Sequence, residues 1–277
     1  MAPDEDTAAE VAKVKEIFQR YNPKGDAISY KDLEAILVSL GKGKISEVDV
    51  KALLVAMDKN KDQLIQFSEF LDWVTMSRKE KPSEAAKRIR RELGPLGECC
   101  VCVLGGKIIR SEHTEALLRA LGRQLSAKLA GKAVIVTGGL PGIQQVFADG
   151  CGDGTELWHL LPNGEESGYG KGRDIHAGAD LQERMEVTGQ LGDLYVTAEG
   201  GPGVAQEAIA ACARGARVLP LVATGGASGG MFDFPREALQ RPACASEQQW
   251  ALLCDATAPV EEAADAAAAI AGNLLGL

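Results

Sequence analysis

In the first part of the chain, apolar residues recur three and four positions apart, over roughly residues 9–20, 31–40, 46–57 and 67–77. That spacing predicts a small all-α region with no strand longer than a few residues. Beyond residue 95 the pattern changes. Unbroken apolar runs at 99–104, 133–137, 156–161, 193–197, 218–222 and 251–254 alternate with amphipathic stretches at 112–129, 142–149, 180–190, 203–213 and 259–275. Short buried strands separated by helices require crossover connections, so this half is predicted to be a doubly wound α/β domain built on a parallel sheet. The expected organisation is a helical domain over residues 1–77, a linker and basic helix over 78–95, and the α/β domain over 96–277. Ser83 is placed to cap the basic helix, and 263–270 is an alanine-rich closing helix without chemistry.

Composition narrows the function classes. Of 277 residues, 45% are apolar and 25% charged, as expected of ordinary globular cores. The net charge of −9 repels a phosphate backbone, which argues against nucleic acid as a partner. No run approaches the ~18 apolar residues of a membrane span, and the acidic first residues lack a signal peptide's basic region. The expectation is a cytoplasmic protein that does not bind membranes. Seven cysteines, an odd number scattered along the chain, point to reduced thiols. Cys99, Cys100 and Cys102 lie in or beside a predicted strand and are read as core packing rather than a redox pair. His113, His159 and His176 are too scattered for a zinc site.

Asp58-Lys59-Asn60-Lys61-Asp62-Gln63-Leu64-Ile65-Gln66-Phe67-Ser68-Glu69 has the spacing of the twelve-residue EF-hand loop. It offers side-chain oxygens from Asp58, Asn60 and Asp62, the backbone carbonyl of Leu64, a water-mediated contact at Gln66 and a bidentate Glu69. A hard divalent cation, Ca2+, suits that donor set. Gln63 stands where glycine makes the sharp turn, at a cost on the order of 1 kcal/mol, so a weakened calcium site is expected. An earlier copy, Tyr21 to Asp32, has lost one residue and places Lys24 among the ligands. It should be structural, pairing with the second loop through Ile28 and Ile65. The resemblance to EF-hand pairs covers residues 9–76 and implies a calcium-responsive module. The basic helix near 87–91 is a candidate target for such a module, or a solvated face.

Glycine is in excess, 32 residues against about 19 at the usual ~7%, and three predicted strands end in it. These ends are Gly105-Gly106, Gly138-Gly139 and Gly200-Gly201 followed by Gly203. Ligands of open parallel sheets bind beyond the carboxyl ends of strands, where glycine lets backbone amides approach a phosphate. The loops therefore suggest a pocket for a nucleotide or sugar phosphate. The P-loop pattern is absent, and no Gly-x-Gly-x-x-Gly follows the first strand.

Arg184, followed fifteen residues later by Glu199-Gly200-Gly201-Pro202-Gly203-Val204-Ala205-Gln206-Glu207, resembles the motif of the Lonely Guy family of cytokinin-activating nucleotide phosphoribohydrolases, often mislabelled lysine decarboxylases. Gly138-Gly139-Leu140-Pro141-Gly142-Ile143 resembles that family's earlier glycine loop. The resemblance spans roughly residues 98–275 and implies a Rossmann-like nucleotide-binding domain and a homodimer. It also implies a catalytic pair at Arg184 and Glu207, with the 5′-phosphate held by Gly200, Gly201, Gly203 and the Val204 amide. The implied reaction is hydrolysis of a nucleoside 5′-monophosphate to free base and ribose 5-phosphate. Arg184 and the helix start near Gly203 should favour ionised Glu207. The sequence departs from the motif at Glu199, which replaces proline and adds a negative charge near the expected phosphate, and at Val204, which removes a threonine hydroxyl. Residues 147–180 are glycine-rich and polar, suited to a lid or a long loop. Two functions fit: a calcium-regulated nucleotide hydrolase, or a non-catalytic calcium-dependent nucleotide sensor.

Overall fold

The computed structural model of the chain describes residues 27–33, 58, 62, 64–66, 69 and 80–277. The chain divides into two compact units, Met1–Glu80 and Lys81–Leu277.

In the first unit, strands β1 (Ala27–Ser29) and β2 (Leu64–Gln66) pair antiparallel, with Ile28 opposite Ile65. Both isoleucines are buried. This is the expected contact between the two loops at their shared apolar position. The expected helices over 9–20, 46–57 and 67–77, and most of that over 31–40, lie outside the described residues, apart from Glu69.

The second unit opens with helix α1 (Pro82–Glu92). Ser83 does not cap it; Lys81 holds the cap position and Pro82 the first turn, where a missing N–H costs nothing. The core elements follow in alternation: β3 (Cys100–Gly105), α2 (Glu112–Leu129), β4 (Val134–Thr137), α3 (Ile143–Gly150), β5 (Leu157–Leu161), β6 (Arg173–His176), α4 (Leu181–Leu191), β7 (Leu194–Ala198), α5 (Pro202–Ala213), β8 (Arg217–Leu221), α6 (Glu247–Cys254) and α7 (Val260–Leu275).

All six strands of this sheet run parallel in the order β6-β5-β4-β3-β7-β8. The chain therefore builds outward from β3 in one direction, then returns to its other side with β7. The β3/β7 border is the point where strand order reverses, and a crevice opens there at the carboxyl ends.

Alternation along β3 sorts its side chains between two cores. Val101 and Val103 join α2, α3 and α7 on one face, while Cys100, Cys102 and Leu104 join α1, α4 and α5 on the other. The architecture is a three-layer α/β/α sandwich. Cys100 and Cys102 are thus core residues on one face of a strand, and all seven cysteines are free.

Two elements differ from the sequence reading. Residues 251–254 belong to helix α6, not a strand: the Ser246 hydroxyl accepts from the Gln249 amide, and the Gln249 side chain accepts from the Ser246 N–H. This capping box fixes a helix start that the short apolar run conceals. Residues 147–180 are not one loop or lid, because they contain the end of α3, β5 and the edge strand β6. In β6 just Ile175 is buried, so the strand has almost no apolar signature.

Candidate functional site

Helix α4 begins where the Asp180 carboxylate accepts from the Glu183 amide and the Glu183 carboxylate accepts from the Ala179 amide. This reciprocal cap places Arg184 at the end of the first turn, on the buried face shared by Val187, Thr188 and Leu191. Helix α5 follows the Gly200-Gly201 turn with Pro202 in its first turn, and turns Glu207 inward beside Val204 and Ala208. The helices can approach closely because small residues line the contact. A Cβ at Gly189 would lie 2.9 Å from Cβ of Ala210, and one at Gly203 the same distance from Cε of Met185.

That approach brings the two charged groups together. Nη1 of Arg184 donates to Oε1 of Glu207 at 3.2 Å, and the side chains are only 1% and 6% exposed. Nη1 also reaches Thr188 Oγ1 at 3.5 Å, while that hydroxyl donates to the Arg184 carbonyl at 2.9 Å. Nε of Arg184 is buried with no hydrogen-bond partner among the described residues, a state uncommon for a buried polar atom.

Burial raises the Glu207 carboxyl to about 7, against a smaller opposing pull from Arg184. The sequence expectation that its ionised form would be favoured is thereby reversed, because loss of solvent outweighs the neighbouring cation. Burial likewise lowers the Arg184 guanidinium, with Glu207 and then Glu165 opposing.

The pair lies on a cavity of about 170 Å³ at the β3/β7 border. Gly105, Gly106, Gly201, Gly203 and Val204 line it together with Arg184 and Glu207, as do Lys107, Leu140, Gln144, Leu181 and Met185. Of the other glycines singled out in the sequence, Gly138 lies behind Arg184, where a Cβ would be 2.8 Å from both Nη atoms. Gly139 packs towards Leu161, and Gly200 packs under Val204. Gly105 is required by packing, since a Cβ there would come within 2.0 Å of Ile143. Glu199 does not line the cavity; both its carboxylate oxygens accept from the Arg110 amide, at 3.0 and 3.1 Å. The negative charge expected beside a phosphate is turned elsewhere.

Gln144 escaped the sequence reading. Its Oε1 accepts from the Gly138 amide at 2.6 Å and its Nε2 donates to the Gly105 carbonyl at 3.3 Å, so one buried amide joins the ends of β3 and β4. The available signal was a polar residue on an otherwise apolar helix face.

A larger cavity, about 270 Å³, lies at the amino end of β5, lined by residues such as Arg123, Cys151 and Glu156. Arg123 is already paired with Glu261, and ligands of parallel sheets bind at the opposite edge, so the smaller cavity is the candidate site.

His159 is held between Thr137 Oγ1 and the Lys171 carbonyl, and His176 meets the Glu165 carbonyl. Neither reaches the Arg184–Glu207 pair. Helix α1 is also engaged within its own unit: Ala85, Ala86 and Ile89 are buried, and Arg90 donates to Asp193 Oδ1 at 2.8 Å and to the Leu191 carbonyl. The apolar face of α1 lies in the core of the α/β unit. The basic helix expected within 78–95 thus packs inside the second unit, which begins at Lys81.

In the first unit, Asp58 and Glu69 are buried, and Asp62 and Leu64 are exposed. The Gln66 amide donates to Glu69 Oε2 at 3.1 Å and the Leu64 amide to Asp62 Oδ1 at 2.8 Å. The Gln66 side chain donates to Asp62 Oδ2, and the Tyr30 hydroxyl crosses from the first hand to Asp58 Oδ2 at 2.8 Å. As they stand, the described residues gather no group of three or more carboxylate, histidine or cysteine side chains that could hold a metal ion, although Asp58, Asp62 and Glu69 are the hard oxygen donors that a divalent cation takes. Asn60 and Gln63 lie outside the described residues, as does the loop of the first hand before Ala27.

The EF-hand domain pair family model matches residues 11–75. That region is an EF-hand pair. No curated protein matches the chain. Among solved structures, the structural genomics target TM1055 is similar at 28% identity, covering 47% of this chain and 78% of its own, with a TM-score of 0.41. The molybdenum cofactor carrier protein from Chlamydomonas reinhardtii is similar at 20% identity, covering 44% and 74%, with a TM-score of 0.36. DNA processing protein A from Helicobacter pylori is similar at 13% identity, covering 46% and 67%, with a TM-score of 0.34. No helix among the described residues is long and apolar enough to cross a membrane.

Proposed function

We propose that the α/β unit hydrolyses the N-glycosidic bond of a nucleoside 5′-monophosphate, with Arg184 and Glu207 as its catalytic pair and Ca2+ bound by the EF-hand unit as a regulator. The observation that carries this reading is the buried Arg184–Glu207 contact at 3.2 Å, set on a cavity whose walls are the glycine ends of β3 and β7. Breaking the bond to the base builds positive charge on the ribose, which a carboxylate held out of water stabilises strongly. Glu207, once ionised, faces that charge and orients a water towards C1′. The water oxygen bonds to C1′ as its proton passes to the Glu207 carboxylate, the C1′–N bond leaves its electron pair on the base, and the base takes a proton from solvent while Glu207 returns its own to solvent. Arg184 holds the Glu207 carboxylate in place. Gly201, Gly203 and the Val204 amide at the start of α5 suit the 5′-phosphate, with Lys107, which also lines the cavity, as a cationic neighbour.

In the EF-hand unit, Asp58, Asp62 and Glu69 would hold Ca2+, with Asn60, the Leu64 carbonyl and a water at Gln66 completing the shell. A bound ion would neutralise those carboxylates. A sensor without turnover is the second reading. It is favoured by the closure of Arg184 and Glu207 on each other, which leaves each side chain almost wholly buried.

The test is incubation with adenosine, cytidine, guanosine and uridine monophosphates, with calcium or with chelator, and chromatography of free base. Glu207→Gln is the control. Base release that disappears in the variant supports hydrolysis; measurable nucleotide binding with no base from any of the four supports the sensor.

A further inference from the structure

Glu199 is a buried, non-glycine residue with φ +47, immediately before the glycine turn that leads into α5. Left-handed backbone at such a residue persists only when its surroundings over-determine it, and strain of this kind gathers at functional sites. Here the surroundings are explicit. The Glu199 N–H donates to Thr224 Oγ1 at 2.8 Å, and its carbonyl accepts from the Ser228 amide at 3.0 Å and the Ser228 hydroxyl at 3.1 Å. The next carbonyl, Gly200, accepts from the Ala227 amide at 3.0 Å. So anchored, the side chain leaves the β7 loop and crosses to the β3–α2 loop, where both oxygens take the Arg110 amide. Both loops line the candidate cavity: Gly106 and Lys107 belong to one, Gly201 and Val204 to the other.

We infer that Glu199 is a positioning residue, a clasp that ties the Lys107-bearing loop to the β7 glycine loop and sets the width of the ligand cavity. The inference rests on the nucleotide reading of that cavity, and it assigns the departure from the family's proline a purpose. A proline, with φ fixed near −65°, cannot adopt this backbone and has no carboxylate to reach Arg110. The clasp holds Lys107 on the cavity wall, so its loss should weaken binding of the anionic part of a nucleotide more than it slows chemistry at Arg184 and Glu207.

Two substitutions separate the strain from the clasp. Glu199→Gly relieves the backbone and deletes the acceptor; Glu199→Gln keeps the strain and keeps an acceptor oxygen. Amide hydrogen exchange at Arg110 reads the clasp without any ligand, and calorimetric titration with adenosine monophosphate reads its consequence. The expected result is at least tenfold faster Arg110 exchange and at least tenfold weaker nucleotide binding in Glu199→Gly, with Glu199→Gln within about threefold of the parent. Where turnover is measured, KM should rise more than kcat falls. Adding Lys107→Ala to Glu199→Gly should cost little beyond either change alone, because both act through one loop. Unchanged nucleotide affinity in Glu199→Gly, or equal Arg110 exchange in the parent and Glu199→Gly, would overturn the proposal. If the parent chain binds none of the adenosine, cytidine, guanosine and uridine monophosphates, the nucleotide reading fails, while the exchange comparison still decides the clasp.

Discussion

Glu207 feels two opposing forces, and burial is the stronger. Its carboxyl is raised from the model-compound value of 4.5 to about 7, so the folded chain holds a proton that the unfolded chain has already released between those two values. The stability this contributes is complete below about pH 4.5 and is lost as pH rises through about 7, on the order of 3 kcal/mol in all. Glu207→Gln has no such proton to lose. Urea midpoints measured from pH 4.5 to 8 should therefore fall for the parent relative to the variant; parallel curves would show that burial does not govern this carboxyl. The same shift dictates how activity depends on pH. Because the ionised form faces the developing charge, kcat/KM should rise about tenfold per pH unit on the acid side and level off above about pH 7. A profile flat between pH 5 and 8 would mean that another group does the work. Arg184 and Glu207 were singled out in the sequence through the resemblance of their segment to a family motif, and the structure shows that the two side chains meet at 3.2 Å. The roles of Glu199 and Gln144 were not legible, since they depend on partners 89 and 39 residues away, which no spacing reveals.

Between helices, the contact of α4 with α5 decides whether those two side chains can meet at all. Gly189 faces Ala210 so closely that a methyl group on the first would come within 2.9 Å of the second, and neither side can rotate away. Glu207 lies three residues before Ala210, on the same stretch of helix. Gly189→Ala should push the helices apart, destabilise the fold by about 1–3 kcal/mol and lower kcat/KM; adding Ala210→Gly should restore most of both. Failure of the second change to rescue would show that the crossing does not set the pair's geometry. In the EF-hand unit, the observed Ile28–Ile65 pairing agrees with the sequence expectation, because an apolar position at a fixed place in each loop is a strong local signal. Calcium titration of Asp58→Ala should show loss of binding to the 58–69 loop, and persistence of that binding would refute the ligand assignment. Strands buried on both faces, such as β4 and β7, were equally plain as unbroken apolar runs. The edge strand β6 was hidden because it buries one apolar residue, and α6 because its apolar run is as short as a strand.

Across the whole chain, an EF-hand pair and a doubly wound α/β sandwich share one polypeptide, and the proposed regulation is a coupling between two ligands. Such coupling is reciprocal: whatever factor calcium imposes on nucleotide affinity, nucleotide must impose on calcium affinity. Calorimetric titrations of each ligand with the other present and absent should give the same factor, and a calcium midpoint unmoved by nucleotide would separate the two units functionally. Beneath that regulation stands the chemistry proposed for the α/β unit. The most direct measurement is a product balance after incubating the chain with adenosine monophosphate. Equimolar adenine and ribose 5-phosphate are expected, without inorganic phosphate, and at least a hundredfold less of both from Glu207→Gln. Release of inorganic phosphate instead, or intact nucleotide after prolonged incubation with a protein that demonstrably binds it, would contradict the account.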